Sequence, residues 1–300
     1  MNRQTSDNSR YTPQLLCSVQ IPRFARALDM PQPVGKSEEV AEMTVPLRDY
    51  NERSVITPEI WFREFGMEKK LEELKNVSKF IMVFPYMRGF IQKADSFCVR
   101  KIEWFQNLRI LDIEGENIGL YLSRIGAPAI AIDLEELIYI GGRFFVLVGG
   151  VGVLSEEIQR GDIIIPDGAI RDEGTSHHYF PPEKEVVPSE YLFEKLKSSS
   201  KDEGLKFFTG KVWTTDAPYR ETPTRITEFS KEGAICVDME TSACFAVANY
   251  YNVELAAIFS GADYVSEEGW DFRKGDLEKS KDIQERLFRV VSKTLKEAKL

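Results

Sequence analysis

Two carboxylates, Glu240 and Asp263, stand 23 residues apart in a stretch whose pattern brings acids to a sheet edge. The stretch, 233–263, reads GAICVDMETSACFAVANYYNVELAAIFSGAD. GAICVDM is a short apolar run between a glycine and an acid, the pattern of a buried strand. TSACFAVANYY is small and apolar, with Thr241 or Ser242 to cap a helix and Asn252 to end it. ELAAIFS is a second apolar run. If both runs are parallel strands of one sheet, a right-handed crossover puts their carboxyl ends on one edge, where open α/β sheets bind ligands. Glu240 then leaves the end of the first strand and Asp263 lies just beyond the second. A carboxylate there could accept hydroxyl hydrogen bonds, and a carboxylic acid could give a proton to a leaving group. Plainer roles stay open for each acid: a partner for a helix N-terminus, or a turn residue.

The whole chain bounds that chemistry. Three hundred residues suit one large α/β domain or two small ones. A chain of this size can bury roughly 75% of its unfolded surface, so it needs no covalent staples. The net charge of −9 argues against a nucleic-acid partner, while leaving room for a local basic pocket for one small anion. Cys17, Cys98, Cys236 and Cys244 lack metal or redox spacing, and the last two, in apolar runs, read as core thiols. A reduced, cytoplasmic setting follows. His177 and His178 are the only histidines, which excludes a multi-histidine metal site; no metal is expected. Being adjacent, at most one of them faces a site. No apolar run is long enough to span a membrane, so no membrane partner is expected.

The elements that position these residues follow in order. Residues 1–53 read as an arm, polar and Pro-containing at its start, that wraps its own or a neighbouring subunit; its early arginines also fit a transit peptide. The folded domain is expected over 54–300. Thr57-Pro58-Glu59 marks a helix start. KFIMVF is the first strand and runs into PYMRGF, which carries Arg88. IGLYLS reads as a strand, 124–128 as a glycine-containing turn, and AIAIDLEELIYI as an amphipathic helix ending at Gly141 and Gly142. RFFVLVGGVGVL reads as a buried strand running into a glycine turn. Gly149, Gly150 and Gly152 would let backbone N–H groups approach an anion there. As a dinucleotide fingerprint the turn fails at Ser155, so a nicotinamide-dependent oxidoreductase rests on it alone. DIIIP is a strand, Asp167-Gly168 a turn, and SEYLFEKLKSSSKDEG a helix. A strand over 212–215 and the turn after it place Thr215, Asp216, Tyr219 and Arg220 at the pocket edge. An aromatic and a forked donor suit a flat heterocycle with carbonyl oxygens; a packed loop is the plainer reading. The segment 277–300 is a terminal amphipathic helix.

VDMET with its small-residue helix and FSGAD, together with EGTSHHYFPP, resembles the nucleoside phosphorylase family that includes uridine phosphorylase and hexameric purine nucleoside phosphorylase. The resemblance runs from about residue 54 to the C-terminus. It implies that Asp238, Met239 and Glu240 hold the ribose, with Asp238 a shorter acid than the family's Glu. It implies that Asp263 is the proton donor of the purine enzymes. An ordinary Asp has a pKa of about 3.9, so that role needs burial or a carboxylate neighbour, for which Asp238 and Glu240 are the candidates. Arg88, Arg100 and the Gly149-Gly150 turn match phosphate positions, Arg100 by reaching into a neighbouring subunit's site. The chain departs from the pattern where Gly-Asp-Pro is missing before Arg88, where Arg124 replaces a glycine, and where Leu147 and Gly150 replace an arginine and a threonine. Those departures set water against phosphate as the nucleophile. Asp263 points to a purine and EGTSHHYFPP to uridine, so the base stays open.

The fold expected is a single three-layer α/β domain with a mixed, largely parallel twisted sheet between helices; the resemblance implies that the sheet closes partly into a barrel. It also implies a homo-oligomer built from dimers, up to a hexamer, and no cofactor besides inorganic phosphate as co-substrate. The reaction implied is pentosyl transfer from a nucleoside to phosphate, giving free base and ribose 1-phosphate. A nucleosidase and a non-catalytic nucleoside-binding subunit are the alternatives.

Overall fold

Local signals set most element ends. In the computed structural model, which describes residues 49–105, 108–273 and 277–299, Thr57 accepts the Ile60 N–H at 3.3 Å and Pro58 occupies the first turn of α1 (Pro58–Glu64). The arm read over 1–53 falls almost wholly outside the described residues. A short α2 (Glu68–Leu71) leads to β1 (Lys79–Val83), buried along its length, and to α3 (Arg88–Asp95). β2 (Cys98–Ile102), β3 (Leu108–Ile113) and β4 (Glu116–Leu122) form an antiparallel meander. Gly126, at φ +99°, heads α4 (Ala127–Tyr139), a backbone angle that glycine adopts without strain. β5 (Phe144–Val153) follows. Beyond it come β6 (Ile163–Ile164), β7 (Gly168–Asp172), a 3-10 turn at Thr175–His178, α5 (Glu190–Asp202), β8 (Phe207–Phe208) and β9 (Lys211–Thr215). A 3-10 turn at Pro218–Arg220 precedes α6 (Pro223–Lys231) and β10 (Ala234–Asp238). The chain ends through α7 (Thr241–Tyr251), β11 (Glu254–Ser266), β12 (Gly269–Asp271) and α8 (Leu277–Glu297).

The described strands form one mixed sheet, parallel at its centre, where β4, β1, β5 and β11 lie side by side. Helices cover both faces. On one, Phe80, Leu134, Phe145 and Phe245 pack between the sheet, α4 and α7. On the other, Phe90, Leu192, Leu287 and Val291 pack between the sheet, α3, α5 and α8. α8 is the expected amphipathic helix, with Leu287, Val290, Val291, Thr294 and Leu295 buried. Among the described residues no helix is long and apolar enough to cross a membrane.

Three expectations are corrected at β5. The sheet does not close into a partial barrel; it branches. β11 follows one edge of β5 from Phe144 to Val153, and β1 follows the other edge only as far as Val148. Gly152 and Val153 then pair antiparallel with Val237 and Cys236 of β10, which leads outward to β9 and β7. β10 therefore runs against β5 while β11 runs with it, so the two strands around Glu240 and Asp263 are not a parallel pair sharing one carboxyl edge. Nor do Gly149, Gly150 and Gly152 form a turn: all three are extended in β5. A Cβ on Gly149 would sit 2.2 Å from Cδ2 of Phe84, so glycine is needed there to let the Phe84 ring lie on the strand.

Candidate active site

β10 delivers a pair of buried acids to the start of α7. Asp238, 8% exposed, accepts the Thr214 hydroxyl at 2.7 Å on Oδ1. Its Oδ2 accepts the Thr241 N–H at 3.0 Å and the Thr241 hydroxyl. Asp238 thus partners the helix N-terminus, the plainer role considered above for Glu240, and both its oxygens are taken by the protein. Glu240, 6% exposed, bridges two helices: Oε1 accepts the Gly126 N–H at 2.6 Å at the head of α4, and Oε2 accepts the Met239 N–H at 3.1 Å. Burial raises both carboxyls above their ordinary range, and the Asp238 charge raises Glu240 further. Below them Glu173, also buried, accepts the Ser242 hydroxyl at 2.8 Å and the Ser176 N–H at 3.0 Å.

Asp263 lies on β11 past a bulge, where Gly261 pairs with Val151 and Asp263 with Gly152, leaving Ala262 as the extra residue. Such an insertion re-aims the side chains beside it. Asp263 lines two cavities. One, of about 610 Å³, is also lined by Tyr219, Glu221, Glu267, Glu268 and Trp270. The other, of about 500 Å³, is also lined by Tyr86, Gly150, Arg160, Phe272 and Gln284. The Trp270 indole N–H donates to Asp263 Oδ2 at 2.6 Å. Burial first, and the Asp263 charge second, push the Glu221 carboxyl up to about 7. The carboxyl that shares a cavity with Asp263 and feels its charge is thus Glu221; Asp238 and Glu240 act on each other instead.

The other expected residues separate. Thr215 is buried, its hydroxyl accepting the Ala217 N–H at 3.3 Å. Asp216 accepts the Gly174 N–H at 2.9 Å and lines a third cavity, of about 840 Å³, with Trp61, Arg124, Glu136, His178 and Tyr179. Tyr219, fully exposed, is the one of Thr215, Asp216, Tyr219 and Arg220 that lines the cavity with Asp263. Arg220 lines none of these three cavities. In place of a carbonyl-reading arginine, the 610 Å³ cavity presents four carboxyl groups, and among the described residues no Lys or Arg. His178 faces the 840 Å³ cavity while His177 is held by Arg171 at 3.2 Å, in line with one histidine facing a pocket.

The residues matched to phosphate are also dispersed. Arg88 begins α3, is exposed, and lines none of these cavities. Arg100 sits on β2 at the outer edge of the sheet and donates to the Glu73 carbonyl at 2.8 Å. Phe84 covers Gly149 and stacks on Phe259, centroids 5.8 Å apart, and Leu147 is fully buried. Gly150 alone of the set reaches the 500 Å³ cavity. Its arginine, Arg160, donates to the Phe272 carbonyl at 3.0 Å and to the Ala262 carbonyl, with the guanidinium 5.0 Å over the Phe272 ring. Among the described residues no group of three or more His, Cys, Asp or Glu is placed to hold a metal ion.

Glu221 and Trp270 were not singled out from sequence. Their signals were present: Glu221 follows Arg220 in the turn marked by Asp216-Ala217-Pro218, and Trp270 follows the Glu-Glu-Gly of the β11–β12 hairpin.

The described residues thus form a branched α/β sheet with Glu221 and Asp263 in the wall of one cavity and Asp238 and Glu240 outside the three cavities. The chain belongs to the phosphorylase superfamily, whose family profile matches residues 72–296. Among curated relatives, a guanosine phosphorylase from Halorubrum lacusprofundi is 27% identical over 180 residues, 59% of this chain and 75% of the relative. A uridine phosphorylase from Treponema pallidum is 30% identical over 152 residues, 47% of this chain and 59% of the relative. A DeoD-type purine nucleoside phosphorylase from Bacillus cytotoxicus is 26% identical over 154 residues, 51% of this chain and 66% of the relative. The fold is that of a Vibrio fischeri uridine phosphorylase, with TM-score 0.63 at 24% identity over 75% of this chain and 95% of the other. It is equally that of a Toxoplasma gondii purine nucleoside phosphorylase, with TM-score 0.64 at 18% identity over 75% and 94%. The resemblance to nucleoside phosphorylases carried by VDMET, FSGAD and EGTSHHYFPP is borne out.

Proposed function

We propose that the chain cleaves the N-glycosidic bond of a purine-type nucleoside, passing the ribosyl group to phosphate and releasing the base. The observation that carries this reading is the 610 Å³ cavity with Glu221, Asp263, Glu267 and Glu268 in its wall. An ionised carboxylate only accepts hydrogen bonds, and a protonated one can also donate. Such a wall suits a base rich in ring N–H and amino donors, and a proton held there suits a leaving base with an N7 atom. Uracil, with two carbonyl oxygens and one ring N–H, offers this carboxyl-rich lining a single donor. Glu240 retains lone pairs beyond its two backbone contacts and is assigned the ribose hydroxyls, with Met239 packing on the sugar. A carboxylate there also favours the oxocarbenium-like transition state of glycosyl transfer.

Water as the nucleophile is the second reading. It is supported by the Phe84 ring over Gly149, by the buried Leu147, and by Arg160 being engaged with backbone carbonyls. One assay separates the readings: inosine, guanosine, adenosine and uridine are offered with and without phosphate. Ribose 1-phosphate from a purine nucleoside is the expected product. Free ribose at a rate independent of phosphate replaces phosphorolysis with hydrolysis, and a preference for uridine overturns the base assignment. Nucleoside binding without turnover makes the chain a binding subunit.

A cytoplasmic homo-oligomer of dimers, with Arg100 serving a neighbouring subunit and inorganic phosphate as the sole co-substrate, completes the proposal. The exposed Trp61, Phe65, Ile125 and Ile132 support a subunit contact. Native mass spectrometry measures the subunit number, and a monomer at working concentration counts against it.

A further inference from the structure

We infer that Glu221 and Asp263, facing one cavity, carry a single proton as a pair, and that Glu221 is the member that delivers it to the leaving base. This rests on the nucleoside-cleaving reading above and assigns the proton to a residue that reading had not used.

Three segments of the chain meet to make the pair. Glu221 follows the Pro218–Arg220 turn after β9, Asp263 stands past the bulge on β11, and Trp270 comes from β12. All three line the 610 Å³ cavity. An indole N–H can only donate, so the Asp263 oxygen that meets it at 2.6 Å must accept and cannot carry the proton on that side. The Glu221 carboxyl has no hydrogen-bond partner among the described residues. The other ionisable groups of the cavity are Tyr219 from its own turn and Glu267 and Glu268 from the β11–β12 turn; the cations nearby are Lys231 of α6, which acts on Glu267, and Arg160, which lines the adjoining cavity on the other side of Asp263 and is held by the Ala262 and Phe272 carbonyls. Two carboxylates sharing such a wall are relieved by one proton, and the unpartnered member takes it. Consistent with that geometry, burial and the Asp263 charge bring the Glu221 carboxyl up to about 7. Two acids whose surroundings differ in this way divide the acid and base roles between them.

The step balances. The bond between the anomeric carbon and N9 breaks, and its electron pair goes to the purine ring. The Glu221 proton goes to N7, leaving a carboxylate. An oxygen of phosphate or water bonds to the anomeric carbon, and the proton lost from the remaining P–OH of the phosphate ester, or from the attacking oxygen of water, restores Glu221. Asp263, held by Trp270, positions the base and keeps the pair at one proton.

The test compares the full-length parent with Glu221→Gln and Asp263→Asn. Guanosine and inosine turnover is followed from pH 5 to pH 9, and carboxyl protonation is read separately by infrared difference spectroscopy. Parent turnover is expected to fall on an alkaline limb centred near pH 7. Glu221→Gln is expected to lose about 10²–10⁴-fold in turnover and to lose the limb, because the acid is gone. Asp263→Asn is expected to keep a limb moved to lower pH, because the charge that raises Glu221 has been removed. Parent and Glu221→Gln spectra are expected to differ by one protonated-carboxyl band that titrates near pH 7. A Glu221→Gln variant with the parent's rate and limb overturns the inference even if nucleosides are cleaved. Identical infrared titrations overturn the pair whether or not the enzyme turns over. A parent that cleaves no nucleoside overturns the functional reading, and proton delivery falls with it.

Discussion

Replacing Glu240 by glutamine keeps the size of the side chain but exchanges one acceptor oxygen for a donor. In the parent, Oε1 takes the Gly126 N–H at 2.6 Å and Oε2 the Met239 N–H at 3.1 Å. The amide can satisfy one of the two. With its oxygen on Gly126, its NH₂ faces the Met239 N–H, and a donor left unpaired in a site this buried costs about 1–3 kcal/mol. An opposing effect depends on pH. Burial and the Asp238 charge raise the Glu240 carboxyl above its unfolded value of 4.5, so the parent has its full stability below that pH and loses some as pH rises through the raised value. Glutamine does not titrate, and removing the charge relieves Asp238 as well. The variant's deficit is therefore largest near pH 4.5 and shrinks toward pH 8. For turnover, losing a charge-assisted bond to ribose, about 1.5–3 kcal/mol, corresponds to about 10- to 150-fold. Urea unfolding at the two pH values and steady-state kinetics on a purine nucleoside measure both effects. A deficit that grows with pH refutes the burial argument. A well-folded variant with the parent's turnover refutes the ribose assignment.

Gly149→Ala is expected to lower stability by about 1–3 kcal/mol, because the new Cβ meets a Phe84 ring already stacked on Phe259; an unchanged thermal midpoint refutes this packing. Arg124→Met removes the cation 2.5 Å from Asp133, which is 1% exposed, and is expected to cost on the order of 1–3 kcal/mol in urea unfolding. Arg88→Ala, at an exposed position outside the described cavities, is expected to leave the phosphate dependence of turnover unchanged. A selective rise in the phosphate requirement would restore Arg88 as a clamp.

What was legible in the sequence was local. Thr57-Pro58 starts α1, Ser189 caps α5 by accepting the Leu192 N–H at 3.3 Å, and Asn252 ends α7 in the left-handed region at φ +52°. Each signal acts within a few residues, so it survives without knowledge of the fold. Strand direction is not local: an apolar run carries no mark of its neighbour's sense, and β10 against β5 could not be told from β10 alongside β11. β7 carries no strand signal in the sequence, because most of its residues are half-exposed and it lacks the continuous apolar run of a central strand. Glu221 escaped for a similar reason. Its cavity is closed by Asp263 of β11 and Trp270 of β12, 263 − 221 = 42 and 270 − 221 = 49 residues further along the chain.

The glycines of β5 show how one sequence pattern can serve a different physical end. Gly-Gly-x-Gly after an apolar run is the mark of a backbone cradle for an anion, and also of a strand that neighbours approach closely. Here the second use holds at two positions. Gly149 leaves room for the Phe84 ring. Gly152 is the register partner of both Val237 on β10 and Asp263 on β11. A Cβ on Gly152 would sit 3.0 Å from Val237 Cγ1, 3.2 Å from Val265 Cγ2 and 3.7 Å from Asp263 Oδ2. A side chain at Gly152 would therefore crowd both neighbours, whereas Val153, the next residue, pairs with the same two strands and keeps its side chain. Asp238 and Glu240 follow Val237 by one and three residues, so the acids assigned to the sugar hang from one edge of Gly152 and the acid beside Glu221 hangs from the other. The glycine spacing acts on the site by fixing where these two groups of carboxyls stand, rather than by wrapping phosphate.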